Sequence, residues 1–291
     1  MDYFYLILSV ITMSSTNVVC GIFNRRAEGK KDGSALYGFI DLCAVFLFWC
    51  AAVCVNGEFD IRVLPYSVVF AGFFAMAMLG RVFAIREGSV VLTSLVVQSS
   101  LMAVSVYGIF VWESPFTLYV LAGLILAVAS LYFCITGGQK EQSGKMKITL
   151  KWVLFSLMAF VGNAGCTIAQ KTQQMVFSGK FGNAFMAVAS IVAVIVGMII
   201  YLKSDRRDSR ELLKKNWYLP VIAGTSTGAL NIFVMILATS ALSATLIYPV
   251  LAVGSLILTC ILSLVLFKEK LRPMQWCGVL LGITATVMLS I

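Results

Sequence analysis

Apolar runs of roughly 20 residues alternate along the chain with short polar interruptions. That length, as helix, spans a hydrocarbon core of about 30 Å. Ten such runs fall at 3–23, 34–56, 64–84, 89–111, 116–135, 151–172, 181–202, 217–238, 244–267 and 273–291. Arg81, Arg86 and Glu87 crowd the turn between the third and the fourth. Between the seventh and the eighth, 203–215 reads as a solvated loop, with a charged helix on the membrane surface as the alternative.

The pattern also repeats. Ser89, Leu92 and Val96 align with Ser243, Leu246 and Val250 at an offset of 154, Glu113 with Glu269 at 156, and Gly123 and Leu126 with Gly278 and Leu281 at 155. Earlier in each half, Leu8, Asn17, Cys20, Gly33 and Phe39 align with Leu154, Asn163, Cys166, Gly179 and Phe185 at an offset of 146. Leu64-Pro65 then aligns with Leu219-Pro220 at 155, so the added residues fall in the 203–216 loop. A unit with an odd number of spans enters the membrane upside down on its second occurrence, the inverted repeat of secondary transporters. The expected fold is therefore an all-α integral membrane protein of ten transmembrane helices, built as two inverted five-helix repeats. The repeats are residues 1–135 and 151–291, with 136–150 as the linker.

Composition agrees. Of the 291 residues 60% are hydrophobic and 12% charged, and the mean hydropathy is +0.96. Soluble domains carry about 25% charged residues. The net charge of +9 does not point to nucleic acid, because the basic residues sit in loops on one side. The loops after the first, third, fifth, seventh and ninth spans hold 19 of the 22 Lys and Arg. The opposite side holds Arg62, Lys171 and Lys180. The positive-inside rule places the richer side in the cytoplasm and both termini outside it, in a multi-pass protein of the cytoplasmic membrane. Trp112, Trp152, Trp217 and Trp276 fall near span ends, as an interfacial belt requires. Met1-Asp2-Tyr3 brings no basic segment before the first run, which reads as a retained helix.

Enzyme chemistry finds little to use. There is no histidine, and the eight cysteines lie inside apolar runs with no Cys-x-x-Cys. No metal, cofactor or disulfide framework is expected, nor a catalytic residue. Gly138 and Gly144-Lys145 have the wrong spacing for a phosphate loop, and Met146 stands where Ser or Thr would bind magnesium.

The candidate pathway residues are polar groups inside the spans. A charge at a helix centre costs roughly 2.5–3.5 kcal/mol and generally faces a cavity or a partner. Asp41 lies in the second span and Arg81 near the end of the third, at comparable depth on one side. They are expected to pair or to share an aqueous vestibule. In the functional reading Asp41 carries a coupling proton or meets a cationic group, and Arg81 meets an anionic one. In the structural reading they form an interfacial ion pair. Ala187 and Ile236 occupy the equivalent positions in the second half. Asn17 and Asn163 head a repeated Asn-x-x-Cys; with Gln98, Gln170 and Asn231 they line a path or bond between helices. Thr225-Ser226-Thr227 is expected to bond its own backbone. Pro249 interrupts the ninth span and makes Tyr248 a contact candidate. Gly278 and Gly282 have the spacing for close helix packing.

The run Phe267-Lys268-Glu269-Lys270-Leu271-Arg272-Pro273-Met274-Gln275-Trp276-Cys277-Gly278 is similar to the most recognisable stretch of the EamA-type drug/metabolite transporters. Trp112-Glu113-Ser114-Pro115 and Gly123 are its counterpart in the first half. The resemblance implies a ten-helix carrier with spans one to four and six to nine around a cavity and spans five and ten peripheral. It also implies transport of amino acids, metabolites, nucleotide sugars or drugs without ATP, in members that often keep both termini in the cytoplasm. The expected function is secondary active transport of a small metabolite, amino acid or drug-like amphipath, with efflux as the direction and alternating access as the mechanism. The partners are a small-molecule substrate, a proton or sodium ion, and membrane lipids. A lipid-linked phosphate flippase or scramblase of the same fold is the alternative.

Overall fold

The computed structural model describes residues 1–26, 33–87, 90–137, 150–204, 209–267 and 273–290. Ser89, the linker residues Gly138 and Gly144, and residues 268–272, which include Glu269, lie outside them, as do the side chains of Asn17 and Gln98. The described residues form eleven α-helices and no strand. These are α1 Asp2–Arg26, α2 Gly33–Asn56, α3 Leu64–Glu87, α4 Val90–Val111, α5 Leu118–Gly137, α6 Leu150–Val176, α7 Gly182–Leu202, α8 Ser209–Asn216, α9 Tyr218–Ala238, α10 Ala244–Phe267 and α11 Pro273–Ser290.

Each predicted span coincides with one long helix. In lipid an apolar run must satisfy every backbone N–H and C=O within itself, and the helix does so. Among the described residues six stretches are long and apolar enough to cross a membrane: Asp2–Cys20, Ala35–Val55, Ile61–Arg81, Leu150–Val176, Gly182–Leu202 and Tyr218–Ala238. The shorter apolar stretches Ser99–Val111, Leu118–Phe133, Ala244–Thr259 and Trp276–Leu289 lie on α4, α5, α10 and α11. Pro65, Pro220 and Pro273 stand in the first turns of α3, α9 and α11, where no intrahelical N–H is lost. Thr117 caps α5, its hydroxyl accepting from the Val120 N–H at 3.3 Å. Asp60 caps the turn before α3 by accepting from the Arg62 N–H at 2.9 Å. Hydrogen bonds from the Arg62 side chain hold the Asp60 carboxyl below its usual range.

Three expectations are corrected. Lys171, placed near the end of the sixth span and counted among the charges on the opposite side, is only 6% exposed within α6. Ser209–Asn216 is helical, so the charged-helix alternative holds for that part of the 203–215 segment. Trp152 is buried, whereas Trp217 and Trp276 are more than half exposed at their helix ends.

The chain divides into two compact units. The first comprises Tyr3–Ala71 and Ala169–Thr239, the second Gly72–Ile168 and Ser240–Ile291, with the boundaries falling inside α3 and α6. In the first, α2 packs against α7 and α9. A Cβ on Gly224 would stand 2.4 Å from the Asp41 carbonyl oxygen, and one on Gly197 2.6 Å from Leu42 Cδ1. Ser67 Oγ donates to the Phe185 carbonyl at 3.1 Å, and Phe39 stacks on Tyr201 with centroids 5.4 Å apart.

In the second unit, α5 packs against α11 and α4 against α10. Ser130 Oγ donates to the Gly278 carbonyl at 2.7 Å, and a Cβ on Gly282 would lie 2.5 Å from Val253 Cγ1. The expected close packing of the Gly278 and Gly282 face is thus present. Gly282→Leu is expected to destabilise the protein by about 1–3 kcal/mol through overpacking, read as a lower thermal midpoint in detergent. An unchanged midpoint would show that Val253 and Ile257 yield freely.

The surface suits lipid. Leu121, Ile125, Val128 and Tyr132 of α5, and Ile191, Ile195, Met198 and Leu202 of α7, are exposed at three- and four-residue steps. Each set is an apolar stripe along one helix face, where a water-facing helix would carry charge.

Candidate functional site

Four polar positions of α6 share one face. Asn163, Thr167, Gln170 and Gln174 follow at steps of four, three and four, which returns them to the same side of a helix of period 3.6. Most positions before Gln170 remain apolar, so the helix spans while presenting this polar line, which widens at Lys171, Thr172 and Gln173.

In the first unit that line meets α9. Gln170 is 5% exposed, and its Nε2 donates to Asn231 Oδ1 at 3.1 Å. Asn231 Nδ2 donates in turn to the Thr227 carbonyl at 2.9 Å. One turn beyond Gln170, Gln174 is 2% exposed and donates to Gln173 Oε1, and Gln173 Nε2 donates to the Lys180 carbonyl at 3.1 Å. Four carboxamides are thereby bonded in a layer that would otherwise be hydrocarbon.

Gln174 also lines a cavity of about 570 Å³ in this unit. Its wall combines Glu58, Lys180 and Asn183 with the apolar Phe181, Ile232, Met235 and Ile236. The turn between α6 and α7 shapes it: Ser178, Gly179 and Phe181 hold φ of 51°, 80° and 61°. Left-handed backbone at two residues other than glycine persists only where the surroundings impose it. Here the Gly179 N–H donates to the Gln174 carbonyl at 2.8 Å and Asn183 Nδ2 to the Ala52 carbonyl of α2 at 3.3 Å. The cavity offers one ammonium, one carboxylate, two amides and an apolar wall.

Asp41 is a separate feature of the same unit. Its Oδ1 is buried with no hydrogen-bond partner, and so is Nε1 of Trp49, two turns further along α2. Tyr37, one turn before Asp41, likewise has a buried hydroxyl with no hydrogen-bond partner. The Asp41 backbone is in contact with Gly224 of α9, next to Thr225-Ser226-Thr227. Thr225 bonds its own helix at the Val221 carbonyl, 3.0 Å, as expected; Ser226 instead donates to the Thr12 carbonyl of α1 at 3.4 Å.

The other candidates lie in the second unit. Asn163 Nδ2 donates to Ser100 Oγ of α4 at 2.6 Å. Tyr248 is 1% exposed on α10, with its ring 6.4 Å from Trp112. Arg81 is exposed on α3. Gln98 belongs to α4 of the same unit, whereas Asn17 belongs to α1 of the first. Of the predicted residues, the structure thus brings Gln170 and Asn231 into direct contact. Sequence reading passed over Gln173, Gln174, Lys180 and Asn183, because a run of polar residues at the end of an apolar one looks like a loop. The four-residue step from Gln170 to Gln174 was the available signal.

With this geometry in place, comparison with known proteins fixes the class. Residues 150–291 match the EamA-like transporter family. That half of the chain belongs to it, and through it to the drug/metabolite transporter superfamily. The match gives residues 150–291 the sequence of a transporter family of the drug/metabolite type, and the apolar helices make the chain a multi-pass membrane protein. A crystal structure of another protein superposes with a TM-score of 0.76, covering 99% of this chain and 95% of that one at 12% sequence identity. At that identity the likeness is one of fold. No curated protein matches the sequence.

Proposed function

We propose that the chain is a secondary active exporter of a small metabolite, amino acid or drug-like amphipath, working by alternating access between two inverted five-helix repeats. The observation that carries this reading is the polar face of α6 running into the cavity beside Gln174. A spanning helix gains nothing in stability from a buried carboxamide over leucine unless the amide is bonded, and such bonds return only about 0.6–2 kcal/mol in membranes. A run of them ending at a cavity suits a path along which a solute exchanges hydrogen bonds with the protein. The repeat is supported by the packing of helices on their counterparts: α5 with α11, α4 with α10, and α2 with α7. Asp41 holds the coupling ion in this reading, and Arg81 meets an anionic group of the solute.

The test begins with metabolites that raise the thermal midpoint of the purified protein, followed into proteoliposomes. Flux is expected to follow an imposed proton or sodium gradient. Gln170→Leu and Asn231→Leu are each expected to raise KM about five- to tenfold, the loss of one hydrogen bond of about 1 kcal/mol. The double variant is expected to do little more, because the two groups form one contact. An unaltered KM in variants of lower midpoint would reduce the pair to packing, and flux indifferent to both gradients would remove secondary transport.

A further inference from the structure

The end of α1 and the junction of α8 with α9 form a second polar constellation, in the first unit and unconnected with transport. Arg26 closes α1, and its Nη1 donates to Asn216 Oδ1 at 3.1 Å and to the Tyr218 hydroxyl at 2.6 Å. Those partners are 190 and 192 residues away in sequence, so the fold places this guanidinium deliberately on the α8–α9 junction. A guanidinium has five N–H donors, and among the described residues these bonds use Nη1 alone. The Tyr218 hydroxyl, having accepted from Arg26, retains its own proton to donate.

Around this point the chemistry is cationic and interfacial. Lys214 and Lys215 immediately precede Asn216 and are exposed. Among the described residues, the carboxylate paired with these lysines is Glu211, 3.8 Å from Lys215 across one turn of α8. Trp217 is 56% exposed and Tyr218 37%. Leu212, 1% exposed, seats α8 within the unit and leaves its lysines outward. Depth is fixed by the neighbours: the apolar span Tyr218–Ala238 begins at Tyr218 itself. The cations therefore stand at the level of lipid headgroups, on the side of the chain that holds most of its Lys and Arg.

We infer that Arg26, Lys214, Lys215 and Tyr218 form a binding site for the phosphate of an anionic phospholipid, with Trp217 and Tyr218 at the boundary between headgroup and acyl chain. The guanidinium offers a planar fork to the phosphate oxygens, the lysines add point charges, and the aromatic rings suit a ligand with an apolar tail. A soluble phosphate would use the cations but not the rings. Held at this junction, the lipid would tie α1 to α8 and α9.

Native mass spectrometry of the full chain in non-ionic detergent tests this, with phosphatidylglycerol and phosphatidylcholine of matched acyl chains as the probes. Wild type is expected to retain phosphatidylglycerol in preference. Arg26→Gln is expected to weaken that retention about fivefold and Lys214→Gln/Lys215→Gln about 25-fold, at roughly one fivefold step per basic residue near an anionic surface. Arg26→Lys is expected to fall between wild type and Arg26→Gln, since it keeps the charge and loses the fork. Arg62→Gln, at an exposed cation paired with Asp60, serves as the control and is expected to leave retention unchanged. The two lysines are exposed, so their variant reads the site even if loss of Arg26 disturbs folding. Equal retention of both lipids by wild type, undiminished retention in the lysine variant, or stripping of the lipid by inorganic phosphate at equal concentration would each overturn the assignment.

Discussion

Asp41→Asn is expected to leave a folded protein whose solute flux no longer responds to an ion gradient and falls to the level of protein-free liposomes. The substitution keeps the size and the shape of the side chain and removes only its capacity to ionise. Asp41 Oδ1 has no hydrogen-bond partner, so no structural bond is broken. An ionisable group at mid-helix costs roughly 2.5–3.5 kcal/mol on insertion scales. Removing it is expected to leave the thermal midpoint equal to that of wild type or above it. A side chain that costs stability and bonds nothing at rest is the pattern of a group retained for what it binds in another state. The experiment has two readouts for that reason. Lost flux at an unchanged midpoint supports a coupling role, and lost flux with a collapsed midpoint assigns Asp41 to the fold. Wild-type flux in Asp41→Asn sinks the assignment, whatever the midpoint.

The largest losses of stability are expected at glycines whose nearest neighbour is backbone, Gly162 and Gly224 among them. A Cβ on Gly162 would stand 2.4 Å from the Ala77 nitrogen and 2.7 Å from the Phe73 carbonyl oxygen. One on Gly224 would stand 2.4 Å from the Asp41 carbonyl oxygen and 2.7 Å from Ala44 Cβ. Side chains rotate away from an added methyl, but a helix backbone yields only by moving the whole helix. Gly162→Leu and Gly224→Leu are each expected to cost about 3 kcal/mol or more. Alanine at these positions sets two effects against each other. It favours the helix by about 1 kcal/mol over glycine and still forces the clash, so a net loss is expected. Gly38 and Gly72 provide the contrast, since nothing lies within 4 Å of a Cβ built on either. Gly38→Ala and Gly72→Ala are expected to raise the thermal midpoint or leave it unchanged. A ranking in which all four alanine variants behave alike would mean that helix propensity, not helix contact, governs these sites.

The spans were legible because crossing lipid demands length and apolarity, and both are written residue by residue. The end of α6 was less so. In sequence the apolar run stops at Thr172, yet the helix continues to Val176, because Gln173 and Gln174 find acceptors that a linear reading cannot supply. Lys171 reads as a charge at the end of the span, and only the folded chain buries it. The candidate site was half visible. Gln170 and Asn231 each stood out as amides in apolar surroundings, but their contact spans 61 residues of sequence and belongs to the packing of α6 on α9. Asn183 and Lys180 gave no sign, since polar residues after a span are ordinary until a turn with left-handed backbone brings them round a cavity.

The sequence by itself determined that this chain lives in a membrane, where its helices begin and end to within a turn, and which family its second half joins. Those properties depend on composition and on local periodicity, which the surrounding lipid reads directly. Only the tertiary structure decided which amides meet, which glycines touch backbone, where a cavity opens and which arginine is pinned to a distant helix end. Each of these rests on distances between helices remote in sequence, and in lipid such distances are set by the fit of small residues and by single hydrogen bonds rather than by any pattern along the chain.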